Sequence, residues 1–316
     1  MRRNLVIAPL AALLITAIVA GPASATYPDR NGRLVFQADT GSGYQLYTVK
    51  ANGHDLQQVT HVTNSNAVLA DWSPDGRQIV YEHGAEEYAR VEIMNADGTN
   101  VRVLAGTGTE TDLTFAGDPS FTPDGEHIVF GKFVAATEDA GIWIMNLDGS
   151  GQHEIGDLPY GDPNVSPDGT TLLMLGSIGD DGRQQALFTA SMSGDNVQQI
   201  TSYALDAAGK SDWAPDGARV ITSDNANIPE QSANVVTLPA EGGEPFRVTE
   251  YSDPEVRAYV GGYSPDGHWI VFRLEDHGQH ALCLVRPDGT GLRTIMPFSD
   301  FRPRGIDWGP PAARSQ

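Results

Sequence analysis

Asp71, Asp212 and Asp307 each stand immediately before a tryptophan, and Ser120, Asn164 and Gly262 hold the same place before Phe121, Val165 and Tyr263. Three carboxylates and two neutral oxygens around one axis would make a hard-oxygen ligand set of the kind Ca²⁺ prefers. The same small polar residues also suit a crowded axis that admits nothing larger and holds water, so two readings stay open: a channel cation held by Asp71, Asp212 and Asp307, or no cofactor at all. Other candidates are weaker. His277 and His280 bracket Gly278-Gln279 in an expected loop, where histidines are solvated. Asn95-Ala96-Asp97-Gly98-Thr99-Asn100 imitates half of a calcium loop without its distal glutamate, and a hairpin turn explains it. Cys283 lies in an apolar run and reads as a small buried hydrophobe. The nucleophile elbow Gly-x-Ser-x-Gly, the phosphate loop Gly-x-x-x-x-Gly-Lys and His-Glu-x-x-His are all absent from the sequence.

These positions recur because the chain repeats. Asp71-Trp72-Ser73-Pro74-Asp75-Gly76 is followed by versions at 120–125, 164–169, 212–217 and 262–267, and by a truncated copy, Asp307-Trp308-Gly309-Pro310. Successive prolines stand 49, 44, 48, 50 and 45 residues apart, the spacing of a four-stranded propeller blade. Pro-Asp-Gly is turn chemistry, since proline presets φ and glycine accepts a positive one. Short β-branched or aromatic runs follow it, such as Gln78-Ile79-Val80-Tyr81 and Trp269-Ile270-Val271-Phe272, and read as strands. A further strand, a Gly-centred turn and an outer strand ending in Val-Thr or Ile-Thr complete each unit. The fold expected is all-β: a six-bladed propeller of four-stranded blades. The first copy lacks an inner strand, and Gly305-Ile306-Asp307-Trp308 supplies one at the other end, so the C-terminal strand is expected to complete the first blade and close the ring. The aromatic positions Trp72, Phe121, Trp213, Tyr263 and Trp308 are assigned to packing between blades.

This pattern over about 285 residues resembles the WD-like Pro-Asp repeat of the TolB-like six-bladed propeller family. The resemblance implies a propeller in the cell envelope or outside it that acts by protein–protein contact. TolB carries an α/β domain ahead of its propeller, and no counterpart is expected here, which leaves a place in the Tol-Pal complex unassigned. A similar propeller precedes the catalytic domain of prolyl-oligopeptidase-type hydrolases, a domain for which this sequence has no room.

The first residues read as an export signal: basic Arg2-Arg3, an apolar run from Leu5 to Ala20, then Ala23-Ser24-Ala25 as a cleavage site. The expected organisation is a signal peptide at 1–25 and a propeller at 26–316, exported to the periplasm or beyond, with no stable membrane insertion after cleavage. One cysteine allows no internal disulfide, so the core alone must hold the domain. With 41 Asp and Glu against 20 Lys and Arg, the net charge of −21 disfavours nucleic acid and anionic lipid. Turns of Pro-Asp-Gly and Gly-centred type make one face of the ring stereotyped, and the variable loops fall on the other, where function on a rigid scaffold is usually placed. Glu82, Glu86, Glu87, Glu138, Asp139, Asp180, Asp181, Glu275 and Asp276 lie in those loops. The expectation is a monomeric, non-enzymatic binding scaffold with an acidic variable face that takes a basic protein or peptide partner. The alternative is a lactonase-like or lyase-like propeller hydrolase using the channel cation.

Overall fold

The structure, a computed structural model, describes residues 31–85, 88–106, 114–156, 158, 161–178, 184–208 and 210–312; the expected signal peptide lies outside them. The described strands form six antiparallel sheets of four, and the only helical element among them is the short 3₁₀ turn Tyr203–Leu205. Five sheets are continuous in sequence. The first is not: its order is Arg304–Trp308, Arg33–Asp39, Tyr44–Lys50, Gln57–Gln58, with Leu34 opposite Trp308 and Val35 opposite Asp307. Backbone bonds from Gly32 N to Gly309 O (2.9 Å) and from Gly309 N to Arg33 O (3.1 Å) extend the seam. The ring is therefore closed by the C-terminal strand. The inner strands, Asn66–Trp72, Thr114–Phe121, Gly161–Val165, Asp212–Trp213, Val256–Tyr263 and Arg304–Trp308, touch one another in cyclic order around the axis.

Both faces of each sheet are buried, so the strands read as continuous apolar runs rather than alternating ones. In His127–Val134, Ile128 and Phe130 pack with Val80, Ile93 and Leu104 of the second blade. Val129, on the other face, packs with Val165, Leu172 and Met174 of the fourth. Six such cores fill the six interfaces between blades. The last joins Val271, Leu282 and Leu284 of the sixth blade to Leu34, Phe36, Ile306 and Trp308 of the first. Trp72, Phe121, Trp213, Tyr263 and Trp308 all belong to these cores, as expected.

The repeated turn chemistry has a specific purpose in four of the blades. The Ser73 hydroxyl donates to Asp75 Oδ1 (2.7 Å) and accepts from Gln78 N (2.9 Å), while Asp75 Oδ1 also accepts from Arg77 N (3.0 Å). Gly76 supplies the left-handed residue, φ +68°. Thr122, Ser166 and Ser264 repeat the hydroxyl's bond to Asp124, Asp168 and Asp266. The terminal threonine of the outer strand has an equally local cause. Outer strands such as Gln57–Gln58 are two residues long, and Thr60 Oγ1 accepts the Leu46 N–H (2.8 Å) just beyond the pairing. Thr201 and Thr249 do the same for Leu187 N and Val235 N.

Candidate functional site

Five of the inner strands end at a Pro-Asp-Gly turn and the first blade's ends at Gly309-Pro310, so the residue at the Asp71 position of each blade lies on the axis near the stereotyped face. There the three aspartates act across blade boundaries. Asp307 Oδ2 accepts the Trp72 N–H of the second blade (2.9 Å), Asp71 Oδ2 accepts the Phe121 N–H of the third (2.8 Å), and Asp212 Oδ2 accepts the Tyr263 N–H of the sixth (2.8 Å). Asn164 closes another boundary with its amide on Ser211 O (3.4 Å) and its carbonyl accepting from Trp213 Nε1 (3.2 Å). At the sixth blade's position, Gly262, a Cβ would come within 2.9 Å of Asp212 Oδ2. Asp71, Ser120, Asn164, Asp212 and Asp307 line a small cavity of about 60 Å³. Among the described residues one group, Asp124, Glu126 and His127, holds three ligand atoms within 4.8 Å of one another, at a turn where the two carboxylates are exposed and the imidazole is half-buried.

A second layer lies two residues upstream: Gly305, Leu69, Asp118, Asp162, Lys210 and Val260. Sequence reasoning missed it. The inner strands of the second, third, fourth and first blades shift register here, and Leu69, Asp118, Asp162 and Gly305 take φ between +48° and +54°. Such bulges re-aim side chains, and aspartate tolerates the left-handed region better than most residues. A signal was present in the paired Gly-Asp-Pro of 117–119 and 161–163, but the other four positions share no chemistry with it.

The channel acids are crowded. Burial, and then the charge of Asp307, push the Asp71 carboxyl up to about 8. Burial and Asp118 push Asp162 up to about 8, while burial and Asp307 push Asp212 up to about 6. Burial would depress the Lys210 ammonium, yet Asp307, Asp71, Asp162 and Asp212 hold it above its ordinary value. Lys210 thus supplies the positive charge that this ring requires.

The nine loop carboxylates divide. Glu138 and Asp139 are exposed, and Asp276, half-buried, pairs with exposed His277 (2.6 Å). Glu86, Glu87, Asp180 and Asp181 lie outside the described residues. Glu82 is not on the rim: its Oε2 accepts the Asp118 N–H (3.3 Å), and burial and Asp118 raise its carboxyl to about 7. Glu275 turns toward Arg302 (3.1 Å) and Arg273 (3.5 Å) instead of presenting an acidic surface.

One further constellation has the connectivity of a hydrolase triad. Ser65 Oγ lies 2.9 Å from His83 Nε2, and His83 Nδ1 lies 3.0 Å from Glu92 Oε1. Ser65 is only 6% exposed, however, and Arg90 Nη2 stands 3.1 Å from the same Nδ1. Glu92 also accepts the Tyr81 hydroxyl (2.5 Å) and pairs with Arg90 (2.7 Å). Burial works to raise the Glu92 carboxyl, but the hydrogen bonds from His83 and Tyr81 outweigh it and hold the group ionised. A buried ion so fully partnered ties strands together.

The closed ring of four-stranded blades and the repeated Pro-Asp-Gly turn define a six-bladed β-propeller. No known family model matches the chain. It is 28% identical over 159 residues to the uncharacterized protein Atu1656 of Agrobacterium fabrum, a stretch covering 46% of this chain and 50% of that protein. Over 110 residues it is 28% identical to the Tol-Pal system protein TolB of Francisella tularensis subsp. mediasiatica, covering 34% of this chain and 23% of that one. The matches thus span half of the first relative and less than a quarter of the second. Among solved structures, TolB from Acinetobacter baumannii superposes with a TM-score of 0.69 at 17% identity, over 88% of this chain and 67% of that one. The fold is shared with enzymes too: oligogalacturonate lyase from Vibrio parahaemolyticus gives 0.55 at 13% identity, over 85% and 77%. No helix among the described residues is long and apolar enough to cross a membrane.

Proposed function

We propose that the protein is an exported, monomeric binding scaffold of the cell envelope that takes a basic protein or peptide partner on the face carrying the variable loops. The observation that carries this reading is the commitment of the repeated blade residues to structure. The aspartates before the aromatics bond the next blade's backbone, and the aromatics fill the cores. What varies in sequence from blade to blade is the loop set, in which Glu138 and Asp139 face solvent. The similarity to a Tol-Pal system protein supports a protein partner, and the sequence signal at residues 1–25 supports export.

Pull-down from envelope extract tests the assignment. Neutralising Glu86, Glu87, Glu138, Asp139, Asp180, Asp181 and Asp276 together should weaken capture and its salt dependence, because complementary charge mainly accelerates association. The matched substitution of Asp55, Asp195 and Glu244 on the stereotyped face should leave capture intact. The reverse result would place the interface on the other face.

A further inference from the structure

In a chain of net charge −21, the mouth of the channel on the variable face is cationic. A cavity of about 420 Å³ opens there, lined by Arg273, Arg302, Arg304, Lys210 and Tyr259 among others. Arg302 and Arg304 come from the segment entering the first blade's inner strand, Arg273 from the sixth blade, and Lys210 from the fifth. No local sequence motif could announce a set drawn from three separated segments.

The positive charge is under-compensated. Among the described residues, Glu275 is the only carboxylate within ion-pair distance of Arg273 or Arg302, and one oxygen serves both, at 3.5 and 3.1 Å. Arg304 has no ion pair among them and lies over the Tyr44 ring (5.8 Å). Lys210 is already engaged with the aspartates deeper in the channel. Donors are left over as well. The Nε atoms of Arg273, Arg302 and Arg304 are buried and without a hydrogen-bond partner, and so is Nδ1 of His280. Arg273 is only 5% exposed, with its guanidinium stacked 4.1 Å from the Tyr259 ring centre and one Nη bonded to Pro303 O (3.3 Å). A buried guanidinium with an idle donor carries a desolvation cost that native structures rarely leave unmet. Burial, and then the repulsion of Arg302, lower Arg273 to about 10.

We propose that this cavity binds a small dianionic ligand through its oxyanion groups, with Arg302 and Arg304 pairing the charge and Arg273 forming the floor. Planar guanidinium forks match carboxylate and phosphate oxygens in pairs, and the volume is in the range of small-molecule sites. Three guanidinium groups against one carboxylate leave two positive charges to be met. The site is independent of the protein-binding reading, since a small ligand would sit inside the mouth and the exposed loop acids around it would remain available.

Isothermal titration calorimetry of the purified full chain with inorganic phosphate and with succinate, at matched ionic strength in sodium chloride, tests the proposal. Saturable binding of either anion is expected, and the tighter of the two tells whether the natural ligand carries phosphate or carboxylates. The Arg302→Gln/Arg304→Gln double variant should bind at least about tenfold more weakly, a loss of about 1.4 kcal/mol. It should melt near the parent, because both side chains are partly solvent-exposed. Arg102→Gln, on an exposed outer strand, should bind as the parent does. Failure of both anions to saturate, or equal affinity in the double variant, would overturn the proposal.

Discussion

The channel aspartates are structural acceptors held under electrostatic tension, and pH exposes that tension. Asp71, Asp162 and Asp212 keep protons in the folded chain at pH values where the unfolded chain has lost them. Their support for the fold is complete below about pH 4, the unfolded value, and is withdrawn as pH rises through the folded values of about 6 and about 8. The turn aspartates, such as Asp97, Asp168 and Asp288, are shifted downward, so their contribution changes only in more acidic solution. The melting temperature is therefore expected to fall between pH 5 and pH 9, and Asp162→Asn should flatten that slope when melting is followed by circular dichroism. At Asp71 the two roles separate. Asp71→Asn keeps an oxygen for the Phe121 N–H and should hold or raise stability at pH 8, whereas Asp71→Ala strands the donor and should cost about 1–3 kcal/mol. A fluorophosphonate probe should leave Ser65 unlabelled in intact-mass spectra, because its hydroxyl is buried and His83 is shared with Arg90. The first aspartate ring was legible in the sequence since it keeps a fixed offset from the aromatic. Asp118 and Asp162 were not, because a backbone bulge rather than a repeated residue type aims them inward, and Lys210 has no counterpart of its own chemistry at the same place in the other blades.

At the scale of the element, the turn is where local sequence decides most. Pro-Asp-Gly works with the hydroxyl before it, and the fifth blade lacks that hydroxyl: Ala214 stands where Ser73, Ser166 and Ser264 stand elsewhere. Ser264→Ala removes the bond to Asp266 Oδ1 (2.6 Å) and the acceptor of Trp269 N (2.9 Å), so equilibrium urea unfolding should register a loss of about 1–2 kcal/mol. The converse, Ala214→Ser, should gain about 0.5–1 kcal/mol by giving Asp216 the partner its counterparts have. Strands and turns were readable from composition because each blade obeys the same local rules. The arginine pocket was not, since Arg273, Arg302 and Lys210 converge only after three blades are assembled. Glu82 and Glu275 illustrate the same limit: loop position suggested an exposed rim, and side-chain direction took one into the channel wall and the other to the arginines.

The whole molecule depends on one seam. Trp308 lies in the core shared by the sixth and first blades, 4% exposed, and its strand pairs with Arg33–Asp39. Trp308→Ala should cost about 3–5 kcal/mol, a large part of the roughly 5–15 kcal/mol by which native domains are stable. Deleting Arg304 to Gln316 should lower the melting temperature further by leaving the inner edge of Arg33–Asp39 unpaired; a truncated chain that melts like the parent would show that the other five interfaces suffice. The seam also has a meaning in time. Leu34 cannot meet Trp308 until almost every residue between them has been placed, so the most distant contact in sequence must also be among the last to form. Loop closure over that span is slow compared with hairpin formation. Until it happens, the first blade waits as three strands with its inner edge unpaired, and the newly made chain is most vulnerable to pairing with a neighbour at that edge.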